Sequence, residues 1–177
     1  AAVAHRRLRE YPISGGPSSA AVTVRDPRLL GYAEAVIREL DWTGVAMVEC
    51  KRDEEYGGWR VIEINARFWG SLQLAIDAEV DFPALLAESV VSGSIAPPHQ
   101  WRTGVRSRWE WGDVDNLLLR LLRSRSRLNL EPDFPGRMRA LLDFMVHRPG
   151  RDHLEVLRLR DPLPFLVESA RRAGWGR

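Results

Sequence analysis

The chain has 177 residues, 45% of them hydrophobic and 28% charged, with 26 basic residues against 24 acidic ones and a formal net charge of +2. These are the proportions of a globular protein long enough to bury a core as one domain or a domain with an appendage. No apolar run approaches the roughly 20 residues of a membrane span, the charge excess is too small to argue for nucleic acid, and the single Cys50 excludes an internal disulfide or a cysteine zinc cluster.

Read in chain order, RRLREYPISGGPSSAAVTVR predicts strand, Gly/Ser/Pro loop and strand, because apolar alternation stops at Pro12 and resumes at Ala20. Asp26 before Pro27 opens a helix, with the carboxylate as N-cap and proline at the first helical position. Leu29, Leu30, Ala33, Val36, Ile37 and Leu40 continue it at helical spacing to near Asp41. GVAMVEC at 44–50 and WRVIEIN at 59–65 read as strands joined through a polar, glycine-containing loop, a β-hairpin. A helical pattern follows in SLQLAIDA, and Asp81 with Pro83 starts a helix that Gly93 stops after Ser92. SIAPPHQ reads as a boundary, giving expected segments of 1–95 and 96–177. The second segment is mainly helical: a strand in TGVRSRWEW, a helix capped by Asp113, another after Asp133, and a last one opened by Asp161 and Pro162. Strands interleaved with helices, with antiparallel hairpins among them, make the fold class α+β (mixed α/β), an antiparallel sheet with helices packed on it.

The chemistry concentrates in VIEINARFWG, residues 61–70. Alternation along a strand places Glu63, Asn65 and Arg67 on one face and Ile62, Ile64 and Ala66 on the other, with the apolar side expected to anchor the strand to the core. A turn centred near Tyr56 makes opposing residue numbers sum to 112, which sets Glu49 across from Glu63 on the same face; a slip of one residue would reverse it. At about 4 Å and an effective dielectric near 20 two carboxylates repel by roughly 4 kcal/mol, so a shared proton or a cation must relieve them. Glu49, Glu63 and the Asn65 carbonyl form an oxygen-only donor set suited to a hard cation, magnesium with manganese as the alternative, and Arg67 suits a phosphate. The plainer alternative is an ordinary ion pair between Glu63 and Arg67 on a solvated strand.

These residues resemble a known family. Glu49, then Glu63, Ile64 and Asn65 fourteen residues on, then Arg67, are similar to the metal-binding end of an ATP-grasp domain. The likeness is greatest to the carbamoyl phosphate synthase large-subunit type and the carboxylate-amine ligases that share it. HRRLREYPISGGPSS resembles the segment leading to their substrate-side glycine loop, and the resemblance spans about residues 4–95. It implies a C-terminal ATP-grasp lobe followed by a helical extension, with the adenine-holding N-terminal lobe expected in a longer parent, since the chain also lacks an initiator methionine. It implies a ligase that joins a small-molecule carboxylate to an amine through an acyl phosphate, using ATP and Mg2+. Glu49, Glu63 and Asn65 would ligate the metal, Arg67 would hold the transferring phosphoryl group, and Ser14, Gly15 and Gly16 would approach an anion through backbone amides. Position 70 is Gly70 where relatives tend to carry a second basic residue, so the substrate grip differs.

Other features read more plainly. His5, His99, His147 and His153 have no metal spacing and are expected to be surface or packing residues. Ser14, Ser18 and Ser19 fit either a phosphate cap or a turn made of turn-formers. Arg6, Arg7 and Arg9 flank the loop, where they are expected to reach a substrate carboxylate, with at least one of them pointing to solvent instead. Lys51 is the only lysine, which a GC-rich coding sequence explains. Arg120, Arg123, Arg125 and Arg127 are expected on the solvated side of a leucine-faced helix or its continuation. Trp101, Trp109 and Trp111 are expected to pack C-terminal helices on the sheet, with Leu117, Leu121, Leu128, Leu141, Leu142 and Phe144 opposite. A degenerate, non-catalytic module is the alternative function, with nucleic-acid binding through the arginines behind it, and a homo-oligomer contact stays open. With no leader-like apolar stretch in AAVAHRRLRE, the expected location is cytoplasmic.

Overall fold

The computed structural model describes residues 1–53, 55, 57–94, 100–130 and 134–175. The expected turn centre at Tyr56, the boundary residues 95–99 with His99, and the expected cap Asp133 lie outside them. The strands are β1 (Ala4–Glu10), β2 (Ser18–Val24), β3 (Met47–Arg52), β4 (Trp59–Asn65), β5 (Arg106–Arg108) and β6 (Asp152–Leu154). The helices are α1 (Pro27–Glu39), α2 (Leu72–Asp77), α3 (Phe82–Ser92), α4 (Glu110–Leu122), α5 (Arg137–Met145) and α6 (Leu163–Arg172). One sheet has the order β1-β2-β5-β6, the other pairs β3 with β4. The molecule is thus mixed α+β, with β2–β5 and β3–β4 antiparallel and β5–β6 parallel among the described strands. None of the described helices is long and apolar enough to cross a membrane.

Contacts group the chain into two compact units, Ala1–Arg6 with Thr23–Gly104, and Arg7–Val22 with Val105–Arg177. In the first, local signals fix the helices. Asp26 accepts from the Arg28 and Leu29 amides at 3.0 Å and opens α1. Asp81 accepts from the Ala84 amide at 3.0 Å and opens α3, which Gly93 ends at φ 71°, a conformation glycine adopts without a Cβ penalty. Leu74, Ala75, Ala78 and Val80 are buried here, a small apolar centre of which Leu74 alone is worth about 1.5–3 kcal/mol. Trp101 donates to the Val24 carbonyl at 3.1 Å.

The second unit is held differently, by buried polar groups. Asp113, expected to cap a helix, lies inside the first turn of α4, which starts at Trp109 and Glu110. Its carboxylate is 0% exposed. It is clasped by Arg9 of β1, whose Nε and Nη2 both donate to it, the latter at 2.8 Å, and by Arg108 of β5 at 2.8 Å. Because α4 begins at Glu110, Asp113 stands past the N-cap position from which a side chain reaches the free first-turn amides, and its carboxylate meets Arg9 and Arg108 instead. Arg9 is therefore committed to the interior of this unit rather than to a ligand. The expected strand TGVRSRWEW stops at Arg108 for the same reason, because the chain must turn into α4 to bring Asp113 over Arg9 and Arg108.

Two neighbours complete the cluster. Asn116 donates to the Glu10 carbonyl at 2.6 Å. Arg120, expected in solvent, is 8% exposed; it donates to the Pro135 carbonyl at 2.8 Å and stacks over Phe134 at 4.9 Å. Residues 113, 116 and 120 share one face of α4, so Arg120 follows Asp113 inward while Arg123, Arg125 and Arg127 stay exposed. Trp109 and Trp111 join α4 to α6, through Glu168 at 2.8 Å and through a stacked Phe165 at 6.0 Å. Leu142, expected in the core, is 53% exposed, and Arg108 instead packs on Phe144 at 4.4 Å.

Removing one partner of a buried ion pair leaves uncompensated charge at a cost of about 3–5 kcal/mol. Asp113→Ala should lower unfolding free energy by about that amount in urea denaturation. A loss below about 1 kcal/mol would show that this cluster does not hold β1, β5 and α4 together.

Candidate functional site

The hairpin β3–β4 carries the acidic row. Its register pairs Met47 with Asn65, Val48 with Ile64 and Glu49 with Glu63, all summing to 112. The register then shifts: Cys50 pairs with Val61, Lys51 with Arg60 and Arg52 with Trp59. The extra residue sits on β4 and makes a β-bulge, which bends the strand and re-aims side chains. Directly paired residues share a face with Cβ atoms about 4.5–5.5 Å apart. Glu49, Glu63 and Asn65 are therefore brought to one face of one two-stranded sheet.

Arg67 is not placed by the same alternation. Strand β4 ends at Asn65, and Arg67 lies in a bend beyond it, exposed, with Nη1 donating to the Phe68 carbonyl at 3.0 Å. The chain then anchors through Trp69, edge-on to Phe82 at 5.2 Å, and through Ser71, 3.3 Å from His5 Nε2. The reverse face of the hairpin also departs from expectation. Val61, Ile62 and Ile64 are 41%, 58% and 37% exposed, so the apolar side does not bury itself in a core, and the strands are held mainly by their own ladder.

Ser14, Gly15 and Gly16 form the β1–β2 turn and belong to the second compact unit. The Gly15 and Gly16 amides donate to the Pro12 carbonyl at 3.3 and 2.9 Å. A Cβ on Gly16 would lie 2.1 Å from the Tyr11 carbonyl oxygen, so backbone approach within the turn already requires this glycine.

The site's electrostatics show in its donors. Glu63 has no partner among the described residues, and no group of three or more His, Cys, Asp or Glu able to hold a metal occurs among them. The donor set is thus two carboxylates with an amide oxygen, all hard oxygen ligands, which fits magnesium better than zinc. Burial pushes the Cys50 thiol above its ordinary value, and the adjacent Glu49 carboxylate adds to the rise. Sequence reasoning missed the row beyond the acids. An open cleft of about 270 Å³ is lined by Lys51, Arg52, Asp53, Glu55, Arg60 and Ile62. Alternation from Glu49 finds Lys51, but only the bulge brings Arg60 opposite it.

Because the thiolate is the reactive form, a raised pKa means less of it at pH 8. Cys50 should react with iodoacetamide more slowly than a free thiol at that pH, and Glu49→Gln should recover part of the rate. A wild-type rate equal to that of a free thiol would contradict the placement of the Glu49 charge beside it.

A family model described as ATP-grasp in the biosynthetic pathway with Ter operon matches residues 1–112 of the chain. Nothing matches among curated proteins or among solved structures.

Proposed function

On the premise that the chain belongs to this ATP-grasp family, we propose that the hairpin is the metal and phosphate platform of an ATP-dependent ligase joining a carboxylate to an amine. The observation that carries the reading is the register pairing of Glu49 with Glu63. ATP-grasp domains are in general ligases, and that supports an ATP-using enzyme at the coarse level; the finer assignment to the carboxylate-amine or carbamoyl phosphate synthase-like type rests on the Glu63, Asn65, Arg67 pattern.

In this reading Glu49, Glu63 and the Asn65 carbonyl hold magnesium. Magnesium held there would supply charge neutralisation of the ATP phosphates. The chain's own residues then position and discharge. Glu49 and Glu63, fixed on neighbouring strands, keep the phosphate chain in one orientation without a protein nucleophile. Arg67, on the bend after β4, donates through Nη1 to the Phe68 carbonyl, and among the described residues the rest of its planar fork is open to the phosphoryl group in transfer. A substrate carboxylate oxygen attacks the terminal phosphorus as the bond to ADP breaks, and an amine then attacks the carbonyl carbon of the acyl phosphate, expelling phosphate and losing a proton to solvent. In the Ser14–Gly16 turn, the Pro12 bonds must open before the glycine amides can meet an anion, so the platform residues carry the reading and the turn does not.

Ligand binding to the native state stabilises it by about 2.7 kcal/mol at a hundred times the dissociation constant. ATP with magnesium should therefore raise the melting temperature, ATP with EDTA should raise it less, and Glu63→Gln should remove the magnesium-dependent part. An undiminished magnesium effect in Glu63→Gln would sink the metal assignment.

A further inference from the structure

The acidic pair is followed on its own face by a cationic pair that no family assignment explains. Lys51 lies two residues after Glu49 on β3 and so shares its face. In a regular hairpin with sums of 112, Lys51 would oppose Val61, and Arg60 would point to the other side. The bulge replaces that arrangement: Lys51 is paired with Arg60, and Val61 goes to the reverse face opposite Cys50. The polar face therefore reads, rung by rung, Met47 and Asn65, Glu49 and Glu63, Lys51 and Arg60. One extra residue in β4 converts an apolar neighbour of the carboxylates into a guanidinium.

Arg60 is held in place. It forms an ion pair with Asp53, whose carboxylate also accepts from the Glu55 amide at 3.0 Å and whose own amide donates to the Gly58 carbonyl at 2.9 Å. Asp53 thus pairs with the guanidinium beside the cleft, which Lys51, Arg52 and Arg60 line together with Asp53 and Glu55. The Lys51 ammonium opposite has no partner among the described residues. Placing two like charges directly opposite on a sheet is destabilising. A compact, rotatable point charge beside a fixed planar fork suits a tetrahedral oxyanion of more than one negative charge.

We propose that Lys51 and Arg60 form a phosphate subsite in this cleft, one rung beyond the metal-holding carboxylates and about 7 Å along the strand from them. The subsite gives the platform a direction. The nucleotide's phosphate chain runs from the metal rung toward Lys51 and Arg60, and the acceptor side lies toward Asn65 and Arg67. This direction rests on the platform reading above; the anion subsite itself does not need the metal.

The test is calorimetric titration of the full chain with sodium tripolyphosphate in EDTA at low ionic strength. Wild type should bind, Lys51→Ala should bind at least tenfold more weakly with an unchanged circular dichroism spectrum, and Glu63→Gln should bind equally or more tightly because a nearby negative charge is gone. Citrate, a polycarboxylate of comparable charge, should compete poorly. No binding by wild type, equal binding by Lys51→Ala, or displacement by citrate at equal affinity would each overturn the subsite. Should Glu63→Gln retain its magnesium-dependent ATP response while Lys51→Ala loses tripolyphosphate, the metal assignment fails and the phosphate subsite stands.

Discussion

Two carboxylates set directly opposite on one face of a two-stranded sheet are the constraint around which the proposed platform is organised. Glu49 and Glu63 are register partners, and like charges at that separation repel unless something of opposite sign is supplied. The hairpin supplies little of its own cover: its apolar side is largely exposed, and its polar side carries the acids. A strand pair so arranged is poorly explained by packing. We propose that it receives a cation and the anions that accompany it. The bulge in β4 serves the same end, since it keeps Val61 off the polar face and puts Arg60 on it.

The second compact unit shows opposite-charge burial used for architecture. Asp113, Arg9 and Arg108 come from α4, β1 and β5, and Arg120 and Asn116 extend the network along the same helix face. Burial pushes the Arg106 guanidinium below its ordinary value, with Asp152 opposing the shift and Arg148, Arg9 and Arg108 adding to it. This interior is crowded with arginine. Alanines 20, 21 and 140 and Val105 supply only a thin apolar lining, so hydrogen bonds to charged groups do much of the orienting there.

How far the sequence revealed this depends on the range of each interaction. The helices α1 and α3 were legible because their caps are local: Asp26 with Pro27, and Asp81 with Pro83 and Gly93, act within a turn. The pairing of Glu49 with Glu63 was legible because a hairpin closes over few residues. The bulge was not, since nothing in WRVIEIN marks where an extra residue is accommodated. Asp113 read as a cap because a carboxylate before leucines resembles one; its true partners lie 104 residues away in Arg9 and five residues before it in Arg108. Arg120 looked solvated by composition and is buried by the same distant network. Strand β6 has three residues and a parallel partner, too short to show alternation. Arg67 continued the strand's spacing on paper, but β4 ends at Asn65.

The central claim is that Glu49 and Glu63 act on one ion. Its most direct measurement is the manganese(II) affinity, read by electron paramagnetic resonance with ATP present, of wild type, Glu49→Gln, Glu63→Gln and the double variant. Two ligands of one ion are coupled, so either single substitution should weaken binding strongly and the double variant should be little worse than the singles, with a coupling of at least about 1 kcal/mol. Losses that simply add, or no loss at all, would contradict the account.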